Sequence, residues 1–174
     1  MRDALAAEPA LAQALIDPAA GPLLSPHITP PLTAWQAEGL DLILEGFLLH
    51  HGRPRHLSPV DQAAAVLAGD YCYAQGLIRI ADAGELFHIR ALADLIALGA
   101  GLVAADERDV VPLLWRATAA AMAARGGPGE RMACALHAAA CDHVRAGDMP
   151  AARAALRELG ALIPATPELT EVLT

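Results

Sequence analysis

Apolar side chains recur every three to four positions along most of this chain, in blocks separated by prolines and glycines. That spacing is the signature of amphipathic helices. Residues 3–17 read as one helix with Leu5, Leu11, Leu15 and Ile16 on its apolar side; Pro9 either kinks it or marks its true start. A loop with Pro18, Pro22, Pro26, Pro30 and Pro31 follows. Thr33 is then expected to cap a helix carrying Leu40, Ile43, Leu44, Phe47 and Leu48, with Gly52 as its stop. Ser58, with Pro59 at the first helical position and Asp61 in the first turn, opens a helix predicted to run to about Ile80.

Two more helices are expected over 84–105, apolar at Leu86, Ile89, Leu92, Leu95, Ile96 and Leu102, and over 107–125, with Val111, Leu114, Trp115 and Met122 on one side. Pro112 falls near the start of the latter, where it is tolerated. Gly126-Gly127-Pro128-Gly129 is the clearest break. Beyond it the pattern predicts helix 130–146, a turn at Gly147-Asp148, helix 150–159 capped by Asp148, and a frayed tail after Pro164. No stretch alternates apolar and polar residues as a strand would. The fold class is therefore all-α, an antiparallel bundle in a single domain over 1–174. Its sections are an N-terminal helix and proline loop (1–32), a central group (33–125) and C-terminal helices with a tail (130–174).

Composition sharpens this picture. With 55% apolar residues, much of that alanine, and only 3% aromatics, the chain suits closely packed helices, since alanine loses no side-chain entropy in a helix. At 174 residues one domain can bury roughly 70% of its unfolded surface. The formal charge is −8 and every basic side chain other than histidine is arginine. That balance argues against a nucleic-acid partner, which needs a basic face, and against an anionic membrane surface. Cys72, Cys134 and Cys141 form an odd set, and Arg2 is followed by no apolar leader core, so a reduced, cytoplasmic setting is expected. No window of 18 uninterrupted apolar residues occurs, and no membrane span is expected.

The chemistry-bearing stretch runs from Asp41 to Tyr73. One helix ends at His50-His51-Gly52-Arg53-Pro54, and the next carries Val66-Leu67-Ala68-Gly69-Asp70-Tyr71. This run resembles the trans-polyprenyl diphosphate synthases, in which a DDxxD box precedes Arg-Arg-Gly-Arg-Pro and then a helix reading roughly AVLAGDxLLA. The resemblance is strongest over about 37–80 and weaker to about 122. It implies an isoprenoid-synthase-like bundle in which Asp41 stands at the first aspartate of the box, Leu42 at the second and Glu45 at the third. His50 and His51 stand where the family has its arginine pair.

In that family the box carboxylates hold magnesium ions that bridge a substrate diphosphate, and a basic pocket grips a second one. Most of that equipment is missing here. Leu42 removes the middle carboxylate, Ala117-Thr118-Ala119 stands for Lys-Thr-Ala, and Gly101-Leu102 for Gly-Gln. After residue 125 no two carboxylates are adjacent, so the second box has no counterpart. The resemblance thus implies a shortened, non-catalytic relative with no resident cofactor, magnesium entering only with residual activity. Its expected partner is a catalytic polyprenyl synthase subunit, which it would regulate in activity or product length, or a second copy of itself. A reduced enzyme using Asp41 and Glu45 and a stand-alone isoprenoid-binding homodimer are the alternatives.

Candidate residues follow from that frame. Asp41 and Glu45 are either a residual metal pair or a solvated, partner-facing pair; Arg53 and Arg55 are the diphosphate-binding candidates. Leu67, Asp70, Tyr71 and Tyr73 are expected at a subunit interface, which the Gly-Asp helix forms in the family; ordinary core packing is the other reading of the two tyrosines and of Trp35. His50, His51 and His56 form a possible imidazole cluster. Cys134, His137 and Cys141, at i, i+3 and i+7, share a helix face either as ligands or as buried small side chains.

Overall fold

The structure, a computed structural model, describes residues 1–16, 24–28 and 31–162. The loop prolines Pro18, Pro22 and Pro30 and the tail after Pro164 lie outside those residues. Among the described residues eight α-helices occur: α1 (Arg2–Ala6), α2 (Pro9–Ala12), α3 (Ala34–His51), α4 (Gln62–Asp82), α5 (Leu86–Ala104), α6 (Val111–Ala123), α7 (Glu130–Ala146) and α8 (Met149–Gly160). Extended pairing among the described residues is limited to one antiparallel bridge, Leu15 with Leu57.

The central and C-terminal helices match the sequence expectation closely, and two N-terminal boundaries do not. The helix expected over 3–17 is two short ones, because Glu8 adopts extended backbone and places Pro9 at the first position of α2. The helix expected from Pro59 starts three residues later. Asp61 is its cap, accepting from the Ala64 amide at 2.8 Å, and Ser58 and Pro59 stay in the loop. Thr33 heads α3 as expected: its backbone N–H and its hydroxyl each donate to Gln36 Oε1 at 2.8 Å. Gly147, in the left-handed region at φ 72°, closes α7 before Asp148 caps α8.

α3 is buried on every side rather than along one stripe. Its one flank contributes Leu40, Ile43, Leu44, Phe47 and Leu48 to the main core with α5, α6, α7 and α8. The opposite flank, through Leu42 and Leu49, packs on a smaller cluster with Leu5, Leu11 and Leu57 from the N-terminal arm and the loop before α4. A helix covered all round can be apolar all round, which is why its pattern blurs. α6 is the other central helix, with Trp115 fully buried and in edge contact with Phe47 at 5.6 Å between ring centres.

Among the described residues the antiparallel pair α3–α4 makes the most extensive helix contact, and glycine makes it possible. Gly39 and Gly46 are seven residues apart on α3, Gly69 and Gly76 seven apart on α4, close to two helical turns in each case. They meet across the pair. A Cβ on Gly76 would lie 2.8 Å from the Gly39 carbonyl oxygen, and one on Gly46 would lie 2.9 Å from that of Gly69. Backbones this close leave no room for a methyl group, and the neighbouring Ile43, Tyr73 and Ile80 side chains fill over the glycines.

α5 has the length and composition to cross a membrane, although it carries Arg90 and Asp94. In the bundle it buries Ala91, Leu92, Leu95, Gly99 and Leu102 against the core, leaving much of its outward face small and apolar. The absence of a long uninterrupted apolar window did not reveal this.

Candidate functional site

Asp41 and Glu45 stand one turn apart on α3, as the sequence requires, but neither is solvated: they are 3% and 1% exposed. Each holds a piece of backbone. Asp41 Oδ1 accepts from the Ser25 amide at 3.0 Å, and Oδ2 accepts from the Ser25 hydroxyl at 2.5 Å. Glu45 accepts from three consecutive amides of the loop before α4. Its Oε1 is 3.1 Å from Arg55 N, 2.8 Å from His56 N and 3.0 Å from Leu57 N, while Oε2 is 3.0 Å from Arg55 N. Successive amides converging on one carboxylate form an anion-binding concavity, here filled by the protein's own side chain.

Burial pushes both carboxyls above their ordinary values, with these same hydrogen bonds working against it. What the sequence suggests as a solvated or ion-holding pair is employed in fixing two loops to the central helix.

The residues in the arginine-pair positions are turned inward as well. His50 stacks on Tyr73 at 5.2 Å between ring centres and lies 3.3 Å from Asp70 Oδ1. Tyr73 covers Gly46 on α3, and burial first, then Asp70, raises its hydroxyl pKa. His51 leans on Phe47 at 4.8 Å, its basicity lowered by burial first and then by its electrostatic interactions with His50 and Arg108. Arg53 is exposed and Arg55 half-buried on the loop that Glu45 holds.

Of the four interface candidates, Leu67 is 70% exposed and Asp70 is exposed too. Tyr71 is half-buried against the N-terminal cluster, and Tyr73 faces α3. Outward on α4, Ala63, Val66, Leu67, Asp70, Ala74 and Ile78 make a stripe with one charge, and Leu86 at the start of α5 is 68% exposed.

The remaining candidates do not assemble. Among the described residues no three His, Cys, Asp or Glu side chains converge as an ion site. His137 Nε2 is 3.1 Å from Thr118 Oγ1 between α6 and α7, with Cys141 Sγ 3.8 Å away. Burial lifts the Cys141 thiol to about 12, so it is no nucleophile at neutral pH. Cys134 is half-exposed on the same helix. His56 is 5% exposed, and neither ring nitrogen has a hydrogen-bond partner.

Sequence reasoning passed over two features. The seven-residue glycine spacing in α3 and α4 was readable, and it supplies a packing reason for Gly69 that owes nothing to diphosphate chemistry. The second is a polar cavity at the end of the bundle, which joins residues from four elements far apart in sequence. No protein-family model matches the chain, and it matches no curated protein and no solved structure.

Proposed function

We propose that this chain is a non-catalytic association subunit of polyprenyl-synthase type, which binds a catalytic homologue through the outward face of α4 and α5 and modulates its activity or product length. One observation carries the reading. The two carboxylates left in the box frame are taken up by backbone amides and the Ser25 hydroxyl, while the helix bearing Gly69-Asp70 keeps an exposed apolar stripe. Catalysis needs free carboxylates; association needs apolar complementarity.

The size of the face supports it. α4, at 21 residues, is about 31 Å long. Beside α5 it offers roughly 600 Å² per partner, or about 1,200 Å² in all, at the lower end of specific interfaces. Asp70 and Arg90 stand exposed on these two helices and give such a face charges of both signs.

The test is to mix the purified chain with a full-length polyprenyl synthase encoded beside it and follow co-elution and product length. The reading requires a joint peak and altered products, both lost with Leu67→Glu. Separate elution with unchanged products refutes it.

A further inference from the structure

The end of the bundle where α3, α5 and α7 begin and α6 finishes encloses an open cavity of about 540 Å³. Its floor is Gln36 and His88, 7% and 1% exposed. Its wall is Trp35, in edge contact with His88 at 5.3 Å. Its rim is a carboxylate–guanidinium–carboxylate bridge: Arg125 contacts Glu85 at 3.1 Å and also Glu130.

Hydrogen bonding fixes the state of the floor. The Thr33 backbone N–H can only donate, so the Gln36 atom 2.8 Å from it is the carbonyl oxygen and the amide nitrogen points inward. That nitrogen is 2.8 Å from His88 Nε2. Two donors do not approach so closely, so this contact assigns Nε2 as the acceptor and the ring proton to Nδ1, over the longer 3.5 Å approach of Nε2 to the Met122 carbonyl oxygen. Nδ1 has no partner at hydrogen-bond distance; Glu85 Oε2, at 3.7 Å, attracts it electrostatically without a hydrogen bond. A buried N–H left unpaired is costly, and here it borders a cavity wide enough for a single-ring molecule. Arg125 Nε, also unpartnered, is a second donor on the rim.

Charge selects the class of occupant. Glu85 and Glu130 outnumber Arg125, which disfavours an anion, while the His88 and Arg125 donors disfavour a cation. We propose that this cavity binds a small neutral planar molecule of cyclic-amide type, its carbonyl accepting from His88 Nδ1–H, its ring N–H donating to Glu85 and its face against Trp35.

Three planar probes of similar size separate the possibilities on the full chain: 2-pyridone (neutral amide), benzoate (anion) and benzamidinium (cation). Trp35 fluorescence and the His88 side-chain ¹⁵N signals report occupancy; Trp115, the other tryptophan, is sealed in the core. The expected result is that 2-pyridone binds and shifts His88 Nδ1, with both ions at least about tenfold weaker. His88→Phe, which keeps a flat ring without the donor, and Glu85→Leu, which removes the acceptor that glutamine would keep, each weaken 2-pyridone about tenfold or more. Absence of any 2-pyridone effect at about 10 mM, a weak-binding limit, overturns the proposal. So does equal or tighter binding of either ion, or unchanged binding by folded Glu85→Leu.

Discussion

Replacing Gly76 by alanine ought to stabilise a helix and here is expected to do the opposite. In an unhindered helix interior the change gains about 1 kcal/mol, since glycine loses the most backbone freedom on folding. At Gly76 the new methyl would stand 2.8 Å from the Gly39 carbonyl oxygen and 2.6 Å from Ile43 Cγ1, where ordinary contact begins near 3.4 Å. Ile43 can rotate, but the carbonyl moves only with its helix, so α3 and α4 must part by roughly half an ångström along the seam. Overpacking of this kind costs about 1–3 kcal/mol before any gain is counted, for a net loss of up to about 2 kcal/mol.

Gly101 is the matched control. It lies in α5 with nothing within 4 Å of a built Cβ, so Gly101→Ala is expected to add about 0.5–1 kcal/mol. Urea unfolding reads both. At a slope of about 2 kcal/mol/M the midpoint falls by up to about 1 M for Gly76→Ala and rises for Gly101→Ala. Stabilisation by both substitutions would refute the close-packed seam.

Three further outcomes follow from the same geometry. Glu45→Ala strands three loop amides, two of them in buried residues, and is expected to cost about 3–5 kcal/mol, with Glu45→Gln costing less because one oxygen still accepts; equal stability of wild type and Glu45→Ala in urea would contradict the tether. His56 has its basicity lowered by burial first, then by Arg2, the chain amine and Arg55. Its folded-state pKa therefore lies below the ordinary 6.5, the unfolded chain binds the proton more readily, and stability is lost as pH falls below 6.5 at up to about 1.4 kcal/mol per unit. His56→Gln removes that contribution, so its loss between pH 7.5 and 5.5 should be smaller than the wild type's; equal losses refute it. Cys72 is buried and its thiol raised to about 12, so it should react with a maleimide only after unfolding, while half-exposed Cys134 reacts in the native state; mass spectrometry of the labelled peptides decides.

Helices α3 to α8 were legible because each is long, periodic and marked by a cap or a glycine: Thr33, Asp61, Gly147 and Asp148 act close to where the sequence puts them. The N-terminal arm was not, since Pro9 permits two readings and only the extended Glu8 decides between them. The candidate site was legible in position and not in employment. Spacing places Asp41 and Glu45 on one face of α3, but that face meets Ser25 and the 55–57 loop, contacts across 10 to 16 residues that no helical period encodes. Tyr73 illustrates the same limit: it shares a helix with exposed Leu67, and a glycine on another helix draws it inward.

What Asp41 and Glu45 hold is tested most directly by thermal unfolding with magnesium and inorganic diphosphate. A ligand at a hundred times its Kd stabilises the native state by about 2.7 kcal/mol, a clear rise in Tm. Structural tethers predict the same Tm with and without magnesium diphosphate, and a lowered Tm for Asp41→Asn in both conditions. A magnesium-dependent rise in Tm that disappears in Asp41→Asn would show that these carboxylates still serve diphosphate chemistry.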